Sequence, residues 1–130
     1  MELCEHLLTR GVGIEAGLLS VSDAEAFVRS GLAPRCARVL VEPLDADPGV
    51  AVEHAATMEE TLRSAEIHLE QVHHGEGIAC WAVNERGARR GHGIRTGLED
   101  VHVLPDGSMA RDNAELVRVA AQLLAGRIQK

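Results

Sequence analysis

The sequence predicts one α/β domain, 1–130, built from four β-then-α units on parallel strands. Three observations predict it. Short apolar runs alternate with stretches of helical period along the chain, which is the pattern of strands joined by helical crossovers. Aromatic residues are nearly absent, with Phe27 and Trp81 the two in the chain, so a core must be built from Leu, Val, Ile and Ala. That composition suits helices packed on parallel strands better than an all-β sandwich. At 130 residues, the chain has the length of one domain and can bury a sizeable core.

The elements follow in order. Residues 2–10 read as a short helix with Leu3, Leu7 and Leu8 on one face. "GVGIEAGLL" is a buried strand ending near Glu15. "SVSDAEAFVRSG" is a helix that Ser20 or Ser22 can cap and Gly31 stops. "RCARVLVEP" is a strand ended by Pro43, and residues 48–67 form the next helix, with Pro48 in its first turn. "LEQVHHGEG" contains the third strand, and "IACWAVNERGARRG" continues as a helix in which Cys80 and Trp81 pack inward. Arg86, Arg89 and Arg90 sit near that helix's end, where cations offset the dipole. "GIRTGLED" is the fourth strand with its exit loop. "LPDGS" is a turn, and Asp112 or Asn113 caps a last helix through Arg127, helped by Glu115.

Composition excludes several classes. A formal charge of −7 argues against nucleic acid, which needs a concentrated basic face. No apolar run approaches the roughly 18 residues of a membrane span, and the acidic start "MELCEHLLTR" is unlike a signal peptide. Cys4, Cys36 and Cys80 are odd in number and widely spaced, the usage of a reducing compartment. The expectation is a soluble, cytoplasmic protein.

Polar residues collect at the C-terminal ends of the strands: Glu15, Glu42, His74 with Glu76, then Arg95, Glu99 and Asp100. On open parallel sheets and (β/α) barrels, ligands bind at that edge. A full barrel needs about 250 residues, so four units are about half of one. The motifs "GVGIEAGL", "SGLAPRCARVLVEP", "HHGEG" and "IRTGLEDVHVLPDGSMARDNAELV" together resemble the second half of the β-keto acid cleavage enzymes, whose best-known member is 3-keto-5-aminohexanoate cleavage enzyme. The similarity runs from about Leu8 to Leu124.

The resemblance implies the C-terminal half of a (β/α)8 TIM barrel with one divalent metal, usually Zn2+, at its mouth. It implies a reaction of a β-keto acid with acetyl-CoA that yields acetoacetate and a new acyl-CoA. It makes Glu99 a metal ligand, Asp100 a base and Arg95 the residue that stabilises anionic reacting groups. Glu15, His74 and Glu76 would line the substrate cleft. The family's other two ligands are a His-x-His pair from the first half of the barrel, and no His-x-His occurs in this chain. Catalytic zinc wants three protein ligands and an open position, so the chain is expected to need an N-terminal half, or else to be a non-catalytic half-barrel, alone or paired with a second copy of itself. The bland alternative for Arg95 with Glu99 or Asp100 is a structural ion pair, and for Glu76 a place in the next helix's first turn. A metal site from His73, His74 and Glu99 is disfavoured because consecutive strand residues point apart.

Overall fold

The computed structural model describes residues 1–126. Its elements are α1 (Glu2–Thr9), β1 (Ile14–Leu18), α2 (Val21–Ser30), β2 (Cys36–Val41), α3 (Pro48–Ser64), β3 (Glu70–His73), α4 (Cys80–Arg89), β4 (Gly93–Ile94) and α5 (Asn113–Gly126). The four strands form one sheet in the order β1-β2-β3-β4, every pair parallel. The α/β reading of the sequence is therefore what the chain builds.

Helix limits follow local chemistry. Ser20 Oγ accepts from Asp23 N at 3.1 Å and Asp23 Oδ2 accepts from Leu19 N at 3.0 Å, a reciprocal cap on α2. Gly31, in the left-handed region at φ 68°, ends that helix. Asp47 Oδ1 accepts from Val50 N at 2.9 Å to cap α3, with Pro48 in the first turn. The sequence carries this helix to Ile67, but it ends at Ser64 because Glu66 itself turns left-handed, at φ 58°. No glycine marks that stop. Asp112 Oδ1 accepts from Glu115 N at 2.8 Å, so Asp112 is the cap of α5. Arg127, the expected last residue of that helix, lies outside the described residues.

Two departures concern the ends of the fold. The fourth strand is only Gly93–Ile94, and its run breaks into a turn by Leu98. The apolar face expected of α1 has little to pack on: none of its residues is buried, and Leu3 is exposed.

The core lies on one side of the sheet. Leu18, Val39 and Val41 pack against Ala24 and Phe27 of α2, Ala51, Ala55, Met58 and Leu62 of α3, and Val83 of α4. A second cluster joins Cys80 and Trp81 of α4 to Val101, Leu116 and Ala120. Trp81 Nε1 donates to Val103 O at 2.7 Å, so the indole is satisfied as it packs. Strand alternation then decides what faces the other way: Glu15, Arg38, Leu40 and Val72 lie in register on the face without these helices.

Candidate functional site

The site is made by one residue beyond each of three strands. Glu42 N donates to Leu18 O at 3.0 Å, His74 N to Val41 O at 3.1 Å, and Arg95 N to His73 O at 3.2 Å. Each strand pairing thus runs on for a single step past the strand end. Because Val41, His73 and Ile94 share one face, the following residues Glu42, His74 and Arg95 share the other. The sequence places them at one edge, and the pleat turns them the same way.

The loop after β4 brings in the remaining groups. Asp100 N donates to Gly97 O at 2.9 Å, Gly77 N donates to Asp100 O at 2.7 Å, and Leu98 N donates to Asn113 Oδ1 at 2.8 Å. Val101 anchors the loop in the core. The glycine that this corner requires is Gly75 rather than Gly97: a Cβ at Gly75 would stand 2.8 Å from the Ala79 carbonyl oxygen, whereas one at Gly97 meets only ordinary contact. Glu42, His74, Glu76, Arg95, Glu99 and Asp100 together line a cavity of about 210 Å³.

Its electrostatics centre on Arg95. The guanidinium reaches Asp100 Oδ2 from Nε at 3.3 Å and Glu99 Oε1 from Nη2 at 2.8 Å. Partial burial works against its charge, but Asp100 and Glu99 outweigh that and raise its pKa above the ordinary arginine value. Asp100 is mostly buried, whereas the Glu99 side chain is 80 % exposed. His74 Nε2 lies 2.6 Å from Glu42 Oε2, and its Nδ1 lies 3.9 Å from Asp100 Oδ1. Neither contact has hydrogen-bond alignment, and both ring nitrogens are buried.

Not every expected residue joins this cavity. Glu15 sits on the same sheet face but is ion-paired with Arg38, and it lines a separate hollow of about 440 Å³ that Arg95, Thr96 and Val117 also border. Glu76 precedes a 3-10 turn at Gly77–Ala79 and makes no side-chain cap there. Cys80 is buried and its thiol is pushed up to about 11, which keeps it protonated and a poor nucleophile.

Glu42, like Glu15 an acid in an apolar run and so expected in a cleft or beside a buried partner, lines the cavity and stands against His74, a pairing the sequence did not name. A second feature escaped the sequence reading. Glu59, on the buried side of α3, is contacted by Arg86 Nη1 at 2.7 Å, Arg90 Nη2 at 2.8 Å and His92 Nε2 at 3.1 Å. Arg86 and Arg90 stand at the end of α4, as the sequence suggests, and there they also answer a buried carboxylate. The signal was present, since Glu59 falls four residues after Ala55 on the apolar side of α3.

Among the described residues, Glu59, His73 and His92 bring one ligand atom each within 4.8 Å of one another and could hold a metal ion by proximity. The His73 and His92 rings, however, stack with centroids 4.5 Å apart at 4°. Imidazole lone pairs lie in the ring plane, so an ion in line with one of two parallel rings stands out of line with the other. Two guanidiniums on Glu59 oppose a cation further. His73 lies on the opposite face of β3 from His74, as alternation requires. At Glu99 the described residues supply one carboxylate and its arginine partner. That donor set does not complete a zinc site.

No helix among the described residues is long and apolar enough to cross a membrane. No curated protein matches the chain. The profile of the beta-keto acid cleavage enzymes matches residues 16–128, a span that begins within β1, includes β2 to β4 and takes in every residue of the cavity. The chain belongs to the beta-keto acid cleavage enzyme family.

Proposed function

We propose that the chain acts in β-keto acid cleavage with acetyl-CoA, giving acetoacetate and an acyl-CoA, as the C-terminal half of a barrel completed by an N-terminal half. The observation that supports this most is the convergence of Arg95, Asp100 and His74 in one cavity at the C-terminal edge of the sheet. A base must lie within hydrogen-bond reach of the proton it removes; the Asp100 carboxylate is paired with Arg95, and main-chain hydrogen bonds to Gly97 and Gly77 hold the residue itself at the cavity wall. The Arg95 fork stabilises oxyanion character on the keto acid or thioester. Glu76 and His74 border the substrate. Glu15, paired with Arg38, serves the neighbouring hollow and takes the variable end of the keto acid.

Zn2+ would supply Lewis acidity in the complete enzyme, with Glu99 as the one ligand from this chain and a His-x-His pair from the other half. The 1–130 chain works in the cytoplasm and takes no nucleic-acid partner. Mixing it with a matching N-terminal half should give acetyl-CoA-dependent loss of β-keto acid, lowered at least 100-fold by Asp100→Asn. A well-folded complex that stays inactive sinks this reading.

One observation favours a second reading, a non-catalytic half-barrel that pairs with a second copy. Arg95 is already engaged by Glu99 and Asp100, and among the described residues neither edge strand, β1 nor β4, has a further strand beside it. A defined dimer by sedimentation, inert with the N-terminal half, is its signature.

A further inference from the structure

Glu42 has no assigned task, yet the sheet is shaped around it. Its carboxylate crosses over Gly17 of β1: a Cβ at Gly17 would lie 2.7 Å from Glu42 Oε1 and would meet nothing else closer than the Glu42 carboxyl carbon at 3.9 Å. Gly17 has no positive φ to explain it. The space is what the glycine provides, and Glu42 is what fills it. On its other side Glu42 Oε2 stands 2.6 Å from His74 Nε2. The contact is not aligned as a hydrogen bond, but a carboxylate oxygen and a bare ring nitrogen repel at that distance, so a neutral imidazole carries its proton on Nε2. His74 Nδ1 is then the atom nearer Asp100, at 3.9 Å, buried and, like Nε2, without an aligned hydrogen-bond partner.

We propose that Glu42 is a positioning residue that, with Gly17 clearing its place, fixes His74 with the proton on Nε2 and presents Nδ1 to the cavity beside Asp100. A ligand there meets an acceptor of fixed direction, suited to the hydroxyl of an enol or of a tetrahedral adduct. That last consequence rests on the proposed function; the tautomer does not.

The test is long-range 1H–15N correlation of the histidine rings in the intact chain near pH 8, with His74 assigned as the pattern that His74→Asn removes. In the wild type, His74 should show a protonated Nε2 and an unprotonated Nδ1. Glu42→Gln should collapse the two nitrogen shifts toward averaged positions. Gly17→Ala should do the same without touching either partner, because the added methyl displaces only the flexible end of Glu42, and circular dichroism should remain that of the wild type. A wild-type His74 protonated on Nδ1 alone, or a pattern unchanged in both variants, overturns the positioning role. Inactive reconstitution with the tautomer as described would overturn the proposed reaction and leave the positioning role standing.

Discussion

Acidification should unfold this protein through His73 before its carboxylates respond. The ring is fully buried between β3 and α4, with its Cβ so close to Gly87 that a methyl there would stand 2.8 Å away. Burial, and then the neighbouring His92, lower its pKa to about 3 from the ordinary 6.5. The unfolded chain therefore binds a proton at pH values where the folded one refuses it. Stability is complete above 6.5 and falls as the pH drops from there toward 3. Applying the linkage relation to that shift gives a loss of about 2 kcal/mol between pH 7 and pH 5. For a domain of this size that is a drop of roughly 5–10 °C in Tm. Glu59 does not contribute in that interval. Burial opposes its charge, but Arg90, His92 and Arg86 bring its pKa down to about 2 from 4.5, so its own loss comes below 4.5. Urea titrations at pH 7 and pH 5 on the wild type and His73→Phe provide the assay, since the variant keeps a ring against His92 and has nothing to protonate. The variant starts less stable, with Gln71 Oε1 having lost the His73 Nε2 partner at 2.9 Å, but its pH dependence should be flatter by about 2 kcal/mol. Equal slopes in the two proteins would refute the reasoning.

Other outcomes follow from the same contacts. Glu59→Ala leaves Arg86, a largely buried guanidinium, without its carboxylate and should cost about 3 kcal/mol by chemical denaturation. Leu62→Ala opens a cavity at a fully buried position among α2, α3 and the sheet, with an expected loss of about 3 kcal/mol by the same assay. Ser20→Ala removes the acceptor for Asp23 N and should cost about 1 kcal/mol, read as a lowered Tm. Glu15→Gln, which weakens an exposed pair with Arg38, should leave stability within about 0.5 kcal/mol.

Much of the fold was legible because the signals were local. Ser20, Gly31, Asp47, Pro48 and Asp112 act within a few residues of where they stand, and the succession of apolar runs and helical stretches carried the order of the elements. The end of α3 was not legible, because Glu66 takes a left-handed conformation with no glycine to announce it. Nor was the shortness of β4, which breaks off where loop hydrogen bonds to Asn113 and Gly77 replace strand pairing. In the cavity, Arg95, Glu99 and Asp100 were readable from one short motif, and the structure joins them as an ion-paired group. The Glu42–His74 contact joins residues on different strands through a gap left by a third, Gly17, and no spacing in one sequence reveals such an arrangement. The Glu59 cluster likewise depends on α3 and α4 meeting at one height.

Zinc stoichiometry decides whether the site in this chain takes its remaining ligands from an N-terminal half. Elemental analysis would follow exchange into metal-free buffer and zinc re-addition, for the chain alone and for its complex with an N-terminal half. The chain alone should retain no zinc, the complex should hold one, and Glu99→Gln should lose it. One zinc held tightly by the isolated chain would contradict that dependence.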